Sequence, residues 1–198
     1  MAKRRKVSNP LALAVLAELT IEPMHPYEMG RRLKEQGKDR NIKYNRSSLY
    51  MVVEQLRKAG FVAEQETVRD TQRPERTVYA LTDEGRAELD DWMCELVAEP
   101  QHEYPAFGVA LCLLAALPVE ESADLLGRRL VALDERIDAT RAQLHKVAGM
   151  DVHPMFVIEE DYALALLEAE RRYTENLIGQ LRDPEFGRTL EEYLGRME

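Results

Sequence analysis

The hydrophobic period of the chain changes after residue 60, and this change limits the folds that the first half can adopt. Three segments, 10–20, 26–36 and 47–59, place apolar residues at the three- and four-residue spacing of amphipathic helices. Two shorter runs rich in valine, threonine and tyrosine follow at 61–68 and 76–81, joined by a polar segment that contains proline. Three helices followed by a β-hairpin predict a winged helix-turn-helix with a two-stranded wing.

Capping residues support the predicted helix boundaries. Asn9 is placed to cap the first helix and Pro10 to occupy its first turn. Either Ser47 or Ser48 is expected to cap the third helix, and Gly60 is expected to end it.

The second half is predicted to be helical. Thr82 caps a helix that runs to about Val97, and the segments 106–117, 119–147 and 155–181 follow, with a short terminal amphipathic helix near Phe186 to Leu194. The short loop between the two long helices predicts an antiparallel helical hairpin. The expected fold is therefore mainly α, with a winged-helix domain at 1–90 and a helical dimerisation domain at 91–198.

The longest predicted helix carries apolar residues at alternating spacings of four and three. This heptad pattern is typical of a coiled-coil seam, which can pack against its own hairpin or against a second subunit. The residues expected to mediate dimerisation are Leu126, Leu130, Leu133, Ile137 and Leu144.

The charge of the chain is unevenly distributed. The formal net charge is −9, which taken alone argues against a polyanionic partner. Counted along the sequence, residues 1–90 carry +3 and residues 91–198 carry −12, and the first 62 residues carry +7. A basic first half and an acidic second half indicate that one part alone contacts double-stranded DNA.

The basic and polar residues around the start of the third helix are the candidate DNA contacts. Donors at the first turn of a recognition helix contact phosphates and base edges. The candidates here are Lys43, Tyr44, Asn45, Arg46, Ser47, Ser48 and Tyr50, together with Arg57 near the end of the helix and Arg73 and Arg76 in the wing. An ordinary polar loop and a solvated turn are the alternatives. The basic run 3–6 is expected to lie along DNA as a disordered arm or to serve as a solubilising terminus.

The sequence lacks the motifs of an enzyme. It has no G-x-S-x-G, no glycine-rich phosphate loop, no H-E-x-x-H and no C-x-x-C. We therefore expect no catalytic residues, no metal and no cofactor. Two cysteines without metal-finger spacing favour a reducing cytoplasm, and no apolar run is long enough to span a membrane.

An aromatic group follows the wing. Trp92, Met93, Tyr104 and Phe107 are close in sequence and can line a pocket for a flat apolar effector. Packing between domains or subunits is the favoured alternative.

Three motifs together resemble the PadR family of bacterial transcription regulators, in its longer subgroup with a large helical C-terminal domain. They are Pro26-Tyr27-Glu28-Met29, Ser48-Leu49-Tyr50 with the exit 59–62, and Val78-Tyr79-Ala80-Leu81-Thr82 with Gly85 and Arg86. Pro26 stands where the family usually has glycine, and Met51 where proline or alanine is frequent. The resemblance implies a winged-helix homodimer that represses transcription on a palindromic operator and sometimes responds to aromatic compounds. A winged-helix module for protein interaction, without a role on DNA, is the alternative function.

Overall fold

The computed structural model describes residues 5–68, 76–150 and 152–196. The chain divides into two compact units, Met1–His102 and Glu103–Glu198. The helices and strands of the first unit are α1 (Pro10–Leu19), α2 (Pro26–Glu35), α3 (Arg46–Ala59), β1 (Val62–Val68), β2 (Arg76–Leu81) and α4 (Asp83–Ala98). Those of the second unit are α5 (Ala106–Cys112), α6 (Val119–Ala148), α7 (Ile158–Leu181) and α8 (Pro184–Leu194).

The first unit is a winged helix, as the sequence predicts. Its core forms where the apolar faces of α1, α2, α3 and α4 meet, and it is continued by the residues that enter the wing. The side chains buried most completely in this core are Leu11, Val15, Leu16, Met29, Leu33, Leu49, Val52, Val53 and Leu56. Because α4 packs on α1, the unit continues beyond the domain boundary predicted at residue 90.

The wing is an antiparallel pair of strands. Its register pairs Val62 with Leu81, and it shifts between Glu64 and Glu66, which indicates a β-bulge. Met24, in the loop between α1 and α2, exchanges two backbone hydrogen bonds with Tyr79 at 3.0 and 3.1 Å. This bridge, which the sequence did not indicate, fastens the wing to the helices.

The junction between the wing and α4 requires glycine twice. Gly60 ends α3 with a φ of 84°, a left-handed conformation that side chains other than glycine rarely adopt. A Cβ atom on Gly85 would lie 2.0 Å from the backbone oxygen of Phe61. The hydroxyl of Thr82 caps α4 by accepting a hydrogen bond from the Gly85 N–H at 3.0 Å, as predicted.

The second unit is built on the packing of α6 against α7. The predicted hairpin is present, with Leu126, Leu133 and Ile137 buried within the unit. Ion pairs also join the two helices, including Arg141 with Glu168 at 2.7 Å.

Two predicted boundaries in this unit were wrong. The segment 106–117 is not one helix, since α5 stops at Cys112 and a 3-10 turn follows at Leu114–Ala116. The other long helix begins at Ile158 and not at residue 155, because Pro154–Phe156 forms a separate 3-10 turn.

Candidate nucleic-acid interface

The first turn of α3 is fixed by a reciprocal cap. The side chain of Asn45 accepts a hydrogen bond from the Ser48 N–H at 2.9 Å, and the Asn45 N–H donates to the Ser48 hydroxyl at 2.8 Å. The prediction that a serine caps this helix was therefore wrong: Asn45 is the N-cap, and Ser48 is the third residue of the helix. Since each of these side chains accepts a hydrogen bond from the other residue's backbone N–H, the pair fixes the start of the helix.

Tyr44 supports α3 from the core side. Its hydroxyl donates to the backbone oxygen of Gly30 at 2.9 Å, and its ring packs against the core. Burial, with a contribution from the negative charge of Asp39, raises the pKa of the Tyr44 hydroxyl above its ordinary value. This predicted DNA contact thus fixes the spacing between α2 and α3.

Arg46 and Tyr50 form the most prominent pair on the outer side of α3. The guanidinium carbon of Arg46 lies 5.8 Å from the centre of the Tyr50 ring, and His25 contacts the same ring edge-on at 5.9 Å. Arg46 has no acidic partner among the residues that the structure describes. Its full positive charge is therefore available to an external anion, held in place by the aromatic ring.

Lys43 and Ser47, which lie on either side of Arg46 in the sequence, are both exposed. A cleft of about 320 Å³, lined by Arg46 and Tyr50, separates α2 from α3. Tyr27 lines this cleft and is 54% exposed. The surface formed by Lys43, Arg46, Ser47, Tyr50 and Tyr27 is called the α3 face below.

Arg57 differs from Arg46 because acidic groups surround it. Its guanidinium donates two hydrogen bonds to Glu54, at 2.7 and 2.9 Å, and lies 3.6 Å from Glu64. Hydrogen bonding to Arg57, aided by its charge and that of Lys58, lowers the pKa of Glu54 to about 2. The structure thus places this predicted DNA contact in an ion-pair network, with most of its charge compensated.

Two of the predicted DNA contacts belong to the wing. Arg73 lies outside the described residues, and Arg76 pairs with Val68 through its backbone while its side chain lies outside them as well.

The basic terminus is partly attached to the domain. Lys3 and Arg4 lie outside the described residues, but the Arg5 side chain is only 4% exposed. Arg5 pairs with carboxylates of α4, and Lys6 lies over the Phe61 ring at 5.4 Å. Arg5 is therefore not part of a disordered arm along DNA. The charge pattern of the terminus did not predict this docking, although α4 carries acidic residues at 88, 91 and 95, a spacing that places them on one helix face.

The four candidate effector residues lie in different surroundings. Trp92 is buried in the core of the first unit, whereas Met93 beside it is exposed. Tyr104 and Phe107 belong to the second unit, where Tyr104 is 84% exposed and Phe107 lies against the guanidinium of Arg129 at 3.6 Å. Within each unit, the structure does not bring these residues together into one aromatic pocket.

Other ligand classes find little support in the described part of the chain. No group of three or more His, Cys, Asp and Glu side chains that could hold a metal occurs among the described residues. Cys94 and Cys112 are both exposed free thiols. None of the described helices has the length and apolar character needed to cross a membrane.

Comparison with known proteins connects this geometry to a family. Residues 13–91 match the model of the transcriptional regulator PadR-like family. The negative transcriptional regulator PadR of Bacillus subtilis (strain 168) is 25% identical over 169 residues, which cover 82% of this chain and 91% of that protein.

Solved structures with similar folds extend over both units. Bacillus subtilis PadR in complex with operator DNA has a TM-score of 0.71 at 19% identity, covering 87% of this chain and 99% of that one. The same protein in complex with p-coumaric acid has a TM-score of 0.69 at 20% identity, with the same coverage. The Vibrio cholerae virulence activator AphA has a TM-score of 0.63 at 15% identity, covering 86% and 97%.

Proposed function

Because the chain belongs to the PadR-like family of transcriptional regulators, we propose that it is a repressor that binds a palindromic operator as a homodimer and is released by a small aromatic compound. The family consists of regulators and not of enzymes, in agreement with the lack of catalytic motifs. The α3 face carries this proposal, because it is the surface on which an unneutralised arginine lies at the start of the helix expected to enter the major groove.

The α3 face has the two kinds of group that operator binding needs. Arg46 and Lys43 supply positive charge for phosphates or for guanine acceptors. The α3 helix, which begins at Arg46 three residues after Lys43, is held by the Asn45 cap and by the hydrogen bond from Tyr44 to α2. A rigid helix with exposed donors loses little conformational entropy on binding, which favours a defined register on the duplex.

A second copy of the chain doubles these contacts. Three of the five residues expected to mediate dimerisation, Leu126, Leu133 and Ile137, are buried within the chain's own second unit. The α7 helix, in contrast, exposes a stripe of apolar residues at spacings of four, four and seven, called the α7 stripe below: Ile158, Tyr162, Leu166 and Tyr173. We place the dimer contact on this stripe, since a two-fold axis through it buries the same residues on both subunits.

The proposal of an aromatic effector is supported by the structure of a similar PadR with p-coumaric acid. In this chain the buried position of Trp92 directs attention to the second unit, where Phe107 lies beside Arg129, whose guanidinium also donates to Glu170 at 2.7 Å. A planar carboxylate would compete with Glu170 for Arg129 and stack near Phe107. Binding of the carboxylate would shift the dimer towards a state that binds the operator less well, and the DNA would then be released.

The test starts from a random library of duplexes, from which the full chain selects those that it retains at low salt. We expect an inverted repeat with half-site centres about one helical turn, roughly 34 Å, apart, and binding that falls steeply with salt. Addition of p-coumaric acid should release the selected duplex. If the chain selects no consensus and retains no duplex at low salt, the alternative of a protein-interaction module replaces the proposal.

A further inference from the structure

Most polar side chains on the outer side of α3 already have partners within the domain. Tyr50 contacts Arg46 and His25, and Glu54 pairs with Arg57. These contacts restrict what each side chain can offer to a base edge. The next outward positions on the first two turns are Ser47 and Met51, which are separated by four residues and so lie on one stripe of the helix.

Met51 is the apolar residue of this stripe. It is 55% exposed, while Leu49, Val52 and Val53 around it are almost completely buried. Its thioether therefore contributes nothing to the described core, although it lies between the polar Ser47 and the charged Lys58 on the surface of the helix. An apolar side chain in this position is solvated at a cost until an apolar partner covers it.

The chemistry of the major groove offers one apolar group for such a side chain. Base edges there present hydrogen-bond donors and acceptors, and only thymine presents a methyl group. Methionine is unbranched and polarisable, so it adapts to the position of such a methyl group without strain. Lys43 just before the helix and Arg46 at its start supply positive charge for the phosphates on one side of this contact, whereas Lys58 at the other end pairs with Glu54 at 3.5 Å.

We infer that Met51 is a specificity-determining residue that contacts the 5-methyl group of a thymine in each half-site. The inference rests on the proposed function, because it requires α3 to enter the major groove. It adds to that function a particular base and a particular side chain. Arg46 supplies affinity at the start of the helix. Met51, more than one turn further along, allows the protein to distinguish thymine from cytosine and from uracil.

The experiment compares thymine with deoxyuridine, which lacks only the methyl group. The full chain first selects a consensus duplex from a random library. Each invariant thymine of that duplex is then replaced singly by deoxyuridine, symmetrically in both half-sites. Dissociation constants are measured by fluorescence anisotropy for the wild type, Met51→Ala and Met150→Ala; Met150, in the second unit, has the same exposed fraction of 55% and serves as the matched control.

We expect one thymine position at which deoxyuridine weakens wild-type binding. The factor should be about fourfold for each half-site, which is the magnitude expected when one methyl group is no longer buried. Met51→Ala should weaken binding to the thymine duplex by a similar factor and bind both duplexes equally. Met150→Ala should behave as the wild type.

Three results overturn the inference. They are a consensus without an invariant thymine, equal wild-type affinity for thymine and deoxyuridine at every position, and a Met51→Ala protein that still discriminates the two bases. These results leave the proposed function intact as long as the wild type binds its selected duplex. If the wild type selects no duplex, the proposed function fails and the inference fails with it.

Discussion

The guanidinium carbon of Arg5 lies 5.2 Å from the centre of the Trp92 ring. The same guanidinium donates hydrogen bonds to Glu88 at 2.8 Å and Asp91 at 3.0 Å, and it also pairs with Glu95. Burial lowers the pKa of Arg5, but the hydrogen bonds with these carboxylates outweigh it and raise the pKa above its ordinary value. One residue thus joins the N-terminal segment to three carboxylates and an aromatic ring of α4.

Substitution of Arg5 tests this attachment. Arg5→Ala leaves the carboxylates of α4 close together without their cation, so we expect a loss of about 2 kcal/mol in the free energy of unfolding. Arg5→Lys keeps the charge but not the planar fork, and should lose less. Chemical denaturation monitored by Trp92 fluorescence measures both. An Arg5→Ala protein as stable as the wild type contradicts the attachment.

Glu54→Gln tests the assignment of Arg57 to an ion-pair network. Without the carboxylate, Arg57 and Lys58 gain freedom to approach phosphates. We expect affinity for a non-selected duplex to rise about threefold, with a steeper salt dependence. Because the pKa of Glu54 is about 2, its carboxylate stays ionised between pH 5 and 8, so acidification over this range does not reproduce the effect. Unchanged affinity and salt dependence in Glu54→Gln would contradict the assignment, because the ion pair with Glu54 would then not keep Arg57 from DNA.

Two substitutions separate the hairpin core from the dimer contact. Leu133→Ala removes a buried side chain and should destabilise the second unit by about 3 kcal/mol. Leu166→Glu places a charge in the α7 stripe and should dissociate the dimer, as measured by sedimentation, while α-helical circular dichroism is retained. Ala139→Glu, at an exposed position of α6 and outside the stripe, is the control. A Leu166→Glu protein that remains dimeric places the contact elsewhere.

Gly85→Ala tests the close approach between the wing and α4. Its Cβ would overlap the Phe61 backbone oxygen, so we expect a loss of about 3 kcal/mol in the free energy of unfolding. Gly127→Ala in α6 is the matched control, since nothing lies within 4 Å of its added Cβ; it should stabilise the protein by up to about 1 kcal/mol. In thermal unfolding, the midpoint temperature should fall for Gly85→Ala and rise for Gly127→Ala.

Local patterns were sufficient to predict most of the fold. The Asn9 cap, the Gly60 terminator and the change of period at the wing each depend on residues close in sequence, and all are present in the structure. The error at the start of α3 has the same origin, because Asn45, Ser47 and Ser48 are all good caps and the choice depends on where the loop enters the helix.

Long-range contacts were beyond the sequence patterns. Arg5 and Glu95 are far apart along the chain, and the charge pattern of the terminus alone suggests a free basic arm. The heptad positions of α6 identify an apolar seam but not its partner, because α7 and a second subunit present the same kind of surface. The candidate site also combines residues of both kinds. Arg46 and Tyr50 remain predicted contacts on the α3 face, whereas Arg57 lies in an ion-pair network that the periodicity of the sequence does not reveal.

The most direct test of operator binding by the α3 face is an anisotropy titration of the selected duplex at several salt concentrations. It compares the wild type, Arg46→Ala and Arg136→Ala, an exposed arginine on α6 as the control. Loss of one phosphate contact from each subunit of a dimer should lower affinity at least tenfold and reduce the magnitude of the salt slope by about 2 in Arg46→Ala alone. The same affinity and slope in Arg46→Ala and the wild type would contradict the account.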